Sequence, residues 1–251
     1  MYLSPRPSGT TPQGRGSSGV TDPLGSQGSL TLSQDHSLLF AINAGSGNIS
    51  VFGVTRSTLA FLDKVPSGGS EPVAVAEHQN LVYVFNAGAA GSLVGFTLDF
   101  GGHLKQIKGS TTFLTAAASG GASLAFSPNG QFLVVTEKIP NNIDVFRIKP
   151  DGTLGPIVVN PDADPGIFSV SFALNGTLIA SETGTPGVTD SATISSYNIS
   201  ASGKLIPVSE HVSKFGTANC WKLSLQTESS FTSRTQEQHR SPVLRLARMV
   251  L

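Results

Sequence analysis

Three short patterns recur four times along this chain, in the same order, and that repetition constrains the fold more than any single motif. The first is an apolar run ending in a polar residue: LLFAIN (38–43), LVYVFN (81–86), FLVVTE (132–137) and LIASE (178–182). The second ends in an aromatic: ISVF (49–52), LVGF (93–96), IDVF (143–146) and ISSY (194–197). The third is a turn followed by a Leu-led strand. The aromatic anchors Phe52, Phe96, Phe146 and Tyr197 are 44, 50 and 51 residues apart, and the anchors Leu59, Leu104, Leu154 and Leu205 are 45, 50 and 51 apart. Two anchors that drift together mark a structural repeat with loop insertions. Each unit opens on its own strand-like segment: SLTLS (29–33), VAVAE (73–77), SLAFS (123–127) and FSVSFA (168–173). Four short β segments per repeat of about 45 residues, with Asn-Gly and Gly-rich turns between them, are the pattern of a propeller blade; a helical repeat would carry a 3.6-residue period.

Composition narrows the function classes. Apolar residues make up 39% of the chain and charged residues 13%, which suits short buried strands and argues against disorder. Sixteen basic and sixteen acidic residues cancel, so the basic excess of a nucleic-acid binder is missing. One cysteine, Cys220, permits neither an internal disulfide nor a Cys-rich zinc site. No apolar run reaches the roughly 18–20 residues of a membrane span, and the N-terminus has no secretory leader, so a cytoplasmic location is the default expectation. Sequons at Asn48, Asn175 and Asn198 are read as chance among Asn-, Ser- and Thr-rich strand flanks.

The phrases DPLGSQGSLTLSQ, LLFAINAGSGNISVF, LVYVFNAG, LAFSPNGQFLVVTEK and IDVFRI resemble the lactonase-type propeller family, also labelled 3-carboxymuconate cyclase-like or 6-phosphogluconolactonase-like. The resemblance runs from about Gly14 to Trp221 and implies seven blades around a channel. This chain is therefore expected to be all-β, with about four complete four-stranded antiparallel blades of such a propeller arranged as an open arc. The expected units are 1–27 (end of a preceding blade and lead-in), blades at 28–72, 73–122, 123–167 and 168–221, and a non-blade tail at 222–251, disordered or a short helix. The tail TESSFTSRTQEQHRSPVLRLARMVL departs from the family phrases and reads as sequence from an altered boundary, which makes the chain a partial member.

In propeller topology, small-molecule sites lie on the face carrying the blade-to-blade loops and the loops between second and third strands. His36, His78 and His103 fall in turns on the opposite face, His211 in or beyond an outer strand, and His239 in the tail, so no histidine is expected to do chemistry. The resemblance implies a His-containing entry before the Ser-Pro-Asp-Gly-like turn, and here that segment, 120–124, has none. Glu71, Glu137, Lys138, Asp164 and Glu182 remain as candidate ligand-binding residues at the channel mouth. Glu137 and Glu182 end second strands in adjacent blades. Facing one channel they would hold a cation or serve as acid and base; otherwise they are solvated loop residues. No HExxH, GxSxG, calcium-loop or phosphate-loop motif occurs, and no metal or cofactor is expected.

Three functional readings follow. One is a catalytically silent propeller that binds a small-molecule or protein ligand at its mouth. The second is a lactone hydrolase or carboxymuconate cyclase-type enzyme. The third is a truncated, non-functional product. Uncovered blade faces add an expectation of self-association, whereas neither nucleic acid nor a membrane span is expected.

Overall fold

A computed structural model describes residues 25–116, 119–213, 216, 219–224 and 231–235. Four antiparallel meanders follow one another without crossovers. Sheet 1 holds β1 (Leu30–Leu32), β2 (Leu38–Asn43), β3 (Asn48–Val54) and β4 (Leu59–Pro66). Sheet 2 holds β5 (Pro72–His78), β6 (Leu81–Asn86), β7 (Ser92–Leu98) and β8 (Leu104–Gln106), with β9 (Thr112–Phe113) also on β7. Sheet 3 is β10 (Gly121–Phe126), β11 (Phe132–Glu137), β12 (Asn142–Ile148) and β13 (Leu154–Pro161). Sheet 4 is β14 (Ile167–Phe172), β15 (Leu178–Glu182), β16 (Thr193–Ile199) and β17 (Leu205–Ser213). Among the described residues, the one helical element is a 3₁₀ turn at Ala44–Ser46. The architecture is that of β-propeller blades, and the four repeats of the sequence become the four sheets.

The turns explain the registers. In the first hairpins of sheets 1 and 3, Ser33 and Ser127 donate to Asp35 and Asn129 at 2.6 and 2.7 Å and accept from the Leu38 and Phe132 amides at 2.9 Å. A side chain thus satisfies backbone donors that the tight turn leaves unpaired. Each of β5, β10 and β14 also carries an irregular register at its entry, between Pro72 and Ala74, Gly121 and Leu124, and Ile167 and Ser169. That shared irregularity bends the chain as it passes from one sheet to the next.

Three apolar clusters fill the seams between consecutive sheets. Phe40, Ile49 and Val51 meet Val82, Val84, Val94 and Phe96; Tyr83, Phe85 and Leu93 meet Leu133, Val135 and Phe146; Phe132, Val134, Ile143 and Val145 meet Val170, Leu178 and Tyr197. First strands of neighbouring sheets lie together and are joined by side-chain hydroxyls: Thr31 to the Val75 carbonyl at 2.8 Å, Ser123 to Val170 at 3.5 Å, and Thr136 of β11 to Phe168 at 2.9 Å. The closest approach is Phe85 over Gly121, where a Cβ would stand 1.6 Å from the Phe85 ring. Only glycine fits there.

The opening strands β5, β10 and β14 are largely buried, whereas β1 is not. Leu30 and Leu32 are 65% and 47% exposed, and Leu59 and Phe61 on the same face are also exposed. That face of sheet 1 carries no sheet among the described residues. At the other end, the expected non-blade tail overlaps a hairpin of β18 (Asn219–Ser224) and β19 (Phe231–Thr235), with β18 lying along β14. A ladder is satisfied by backbone groups, and Phe231, Thr232 and Thr235 favour extended chain. Residues 1–24 and 236–251 lie outside the described residues.

Candidate functional site

Second strands end at equivalent points in each sheet: Asn43 opposite Asn48, Asn86 opposite Ser92, Glu137 opposite Asn142, and Glu182 opposite Thr193. Glu137 and Glu182 are neither solvated loop residues nor side chains facing a common channel; both are fully buried. Glu137 lies on the face of sheet 3 that carries Leu133 and Val135 toward sheet 2, and Glu182 on the face of sheet 4 that carries Leu178 and Ala180 toward sheet 3. Thr115, in the connection from sheet 2, donates its amide to Glu137 Oε1 at 2.9 Å and its hydroxyl to Oε2. Thr193 donates its hydroxyl to Glu182 Oε2 at 3.0 Å. Each carboxylate is thereby tied into a separate seam.

Glu137 has a second acidic neighbour that sequence reasoning missed. Asp144 stands opposite Val135 on β11 and Val159 on β13, so it shares the face of Glu137 one step diagonally. It is fully buried, and neither carboxyl oxygen has a hydrogen-bond partner among the described residues. Burial, reinforced by the neighbouring Glu137 charge, pushes its pKa up to about 7.

Asp164 belongs to a different group, in the connection from sheet 3 to sheet 4. Asn141, with φ +58°, organises that connection. Its Oδ1 accepts from the Gly166 and Ile167 amides at 2.9 and 3.0 Å, and its Nδ2 donates to the Asp164 carbonyl at 2.8 Å. The Asp164 side chain, in a residue only 8% exposed, takes His211 Nδ1 at 2.6 Å. The His211 side chain is 62% exposed, and its backbone has φ +59°, uncommon for a residue with a Cβ. The hydrogen bond to Asp164, and then its charge, raise the imidazole pKa. Beside them Tyr197 donates to Asp162 Oδ1 at 2.9 Å, while burial lifts Asp162 to about 6 despite that bond. The charges of Glu210 and Glu182 also reach His211.

Asp164 thus gives His211 a carboxylate partner that sequence reasoning did not foresee. The histidine lies on an outer strand, as read, but near that strand's end, where the preceding connection comes within reach. The other two candidates stand apart. Lys138 donates to the Gly25 carbonyl at 2.8 Å and lies over the Phe168 ring at 5.4 Å, so its charge is engaged at the sheet 3 to sheet 4 junction. Glu71 is exposed at the entry to β5, with φ +50°. Among the described residues no group of three or more His, Cys, Asp or Glu converges as metal ligands, and no helix is long and apolar enough to cross a membrane.

Two open grooves of about 440 and 330 Å³ lie at the opposite end of the sheets. One is lined by Asn129, Phe132, Phe172 and Asn198, the other by His78, Asn129, Lys149 and Asp151. Neither touches the five candidate residues.

No protein-family model matches the chain, and no curated protein sequence does. Solved structures do match. A protein from Lactobacillus plantarum superposes with a TM-score of 0.65 at 18% identity, over 82% of this chain and 63% of that one. A candidate 6-phosphogluconolactonase from Bacteroides uniformis gives 0.59 at 18% identity, over 86% and 69%. The periplasmic gluconolactonase of Pseudomonas aeruginosa gives 0.58 at 19% identity, over 77% and 55%. The chain thus has the lactonase-type propeller fold and spans 63% of the length of the first of these proteins. At such identities the likeness extends to fold, and fold does not carry activity.

Proposed function

We propose that this chain is a lactonase-like propeller that binds a neutral, hydroxyl-rich small molecule, of the sugar or sugar-lactone class, at the rim between sheets 3 and 4 without turning it over. The observation that carries this reading is the company His211 keeps: Asp164 bonds the imidazole, and the charges of Glu210 and Glu182 also reach it. Carboxylates accept hydrogen bonds from sugar hydroxyls, and an imidazolium held by Asp164 donates to a ring or carbonyl oxygen. Hydrolysis of a lactone develops an oxyanion, which needs donors or positive charge around it. An acidic rim opposes that step. The ligand class is suggested by the gluconolactonase among the structural neighbours and by the neutral charge of the chain.

One observation favours a second reading, lactone hydrolysis. Asp164 orients His211 through Nδ1, which leaves Nε2 without a hydrogen-bond partner among the described residues and in the position of a general base. Calorimetric titration with glucose and glucono-δ-lactone, alongside a hydrolysis assay of the lactone, separates the two. The binding reading expects saturable heat that is lost in Asp164→Asn and His211→Ala, with hydrolysis at the buffer rate. Absence of binding to both probes overturns it. Hydrolysis above the buffer rate that disappears in His211→Ala also overturns it and establishes the second.

A further inference from the structure

The seam between sheets 2 and 3 holds two acidic side chains that the rim site does not use. Asp144 is the sharper anomaly. An ionised carboxylate out of water is costly unless it is hydrogen-bonded, paired or bound to a cation. Asp144 is fully buried, lies between Val135 and Val159, and has no hydrogen bond on either oxygen among the described residues. A bound proton would repair this only in part, because the new hydroxyl would itself need an acceptor. Glu137 is close enough for its charge to act on Asp144, yet no hydrogen bond links the two carboxyl groups. Their separation is therefore wider than a shared proton permits. Diagonal neighbours on one sheet face have Cβ atoms roughly 7–8 Å apart or somewhat less, a span that one ion bridging two carboxylates can close.

Glu137 is also prepared as a ligand. The amide and hydroxyl of Thr115 hold its carboxylate from the side of the preceding sheet and fix its orientation, the service that outer partners perform for metal-binding carboxylates. The donors in this part of the seam are oxygens: two carboxylates and a threonine hydroxyl. No imidazole or thiolate joins them among the described residues. Oxygen-only donors of this kind select hard cations over zinc or copper, and two carboxylates fixed on a rigid sheet suit the flexible coordination of calcium better than the strict octahedron of magnesium.

We propose that Glu137 and Asp144 jointly bind a hard divalent cation of the calcium class, which joins sheet 3 to sheet 2 through Thr115. The site is distinct from the rim around His211 and does not depend on the ligand proposed there. A cation bound by the folded chain alone stabilises it by mass action, so its presence is readable without any activity.

The test is a thermal melt of the full chain, stripped with chelator and then titrated with calcium chloride, magnesium chloride or sodium chloride of matched ionic strength. The expected result is a saturable rise in Tm of about 3–8 °C with calcium, smaller with magnesium and absent with sodium. Asp144→Asn and Glu137→Gln should each weaken the calcium response at least tenfold. Glu182→Gln, at the equivalent position of the next sheet, should keep it. Circular dichroism establishes that each variant is folded, and calorimetric titration of calcium into the wild-type chain gives a second readout if a variant is not. A wild-type chain whose Tm and titration heats are the same in calcium and in matched sodium chloride overturns the proposal and leaves Asp144 neutralised by a proton. A calcium response retained in both Asp144→Asn and Glu137→Gln overturns it equally.

Discussion

Gly121 and Phe85 offer the most direct test of how the sheets are held together. A Cβ on Gly121 would stand 1.6 Å from Cζ and 1.7 Å from Cε1 of Phe85, far inside van der Waals contact. The φ of Gly121 is not in the left-handed region, so an alanine there costs sterically rather than through its backbone. Phe85 is fully buried among Tyr83, Leu93, Leu124 and Leu133, so its ring has nowhere to go without opening the seam. Gly121→Ala should therefore cost about 2–4 kcal/mol, at or above the upper end of ordinary overpacking. Phe85→Ala should cost about 3–5 kcal/mol through the cavity it leaves. In the double variant the new methyl group occupies part of that cavity and the clash is gone. Its cost should fall short of the sum of the single costs by about 2 kcal/mol. Urea unfolding followed by far-ultraviolet circular dichroism measures all three. Additive costs, or a neutral Gly121→Ala, would refute the reasoning and mean that β6 and β10 do not approach as described.

Other outcomes follow from the rim and from the uncovered sheet. His211 should titrate by NMR above the usual imidazole value, and Asp164→Asn should return it there; any stabilisation from the pair is full below pH 6.5 and lost as pH rises through the raised value. Tyr197→Phe removes the bond that favours the charged form of Asp162, so that carboxyl should titrate above its present value of about 6, read by carboxyl-carbon NMR. The exposed face of Leu30, Leu32, Leu59 and Phe61 should drive concentration-dependent self-association, detected by size exclusion with light scattering, and the pair Leu32→Lys and Phe61→Lys should suppress it. A wild-type chain that remains monomeric across the concentration series would show that the face is covered.

The fold was legible because a sheet repeat leaves two marks at once, alternation within strands and a fixed order of anchors between them. What the anchors could not show was the surroundings of each strand end. Glu137 looked like a residue at a mouth because it ends a strand and precedes a loop. Its parity told otherwise: it is two and four residues from Val135 and Leu133, and in a strand that shares their buried face. The same parity links Glu182 to Ala180 and Leu178. Asp144 carried the same signal, an acid between Ile143 and Val145 in a strand buried on both faces. His211 was harder. Its pairing with Asp164 joins residues 47 apart, one in a connection and the other on β17, and no local pattern encodes such a contact.

The hydroxyl bonds across the seams have a mechanical consequence. Within each sheet, ladders of backbone bonds resist deformation along every strand. Between sheets, the described links are apolar contacts and isolated bonds such as Thr31 to Val75, Ser123 to Val170 and Thr136 to Phe168. The molecule is a row of stiff plates on compliant joints, and bending it moves the joints first. A chain pulled from its ends should therefore yield at the seams, with whole sheets peeling away as units, and the joint bridged by Phe85 over Gly121 should be the last to give.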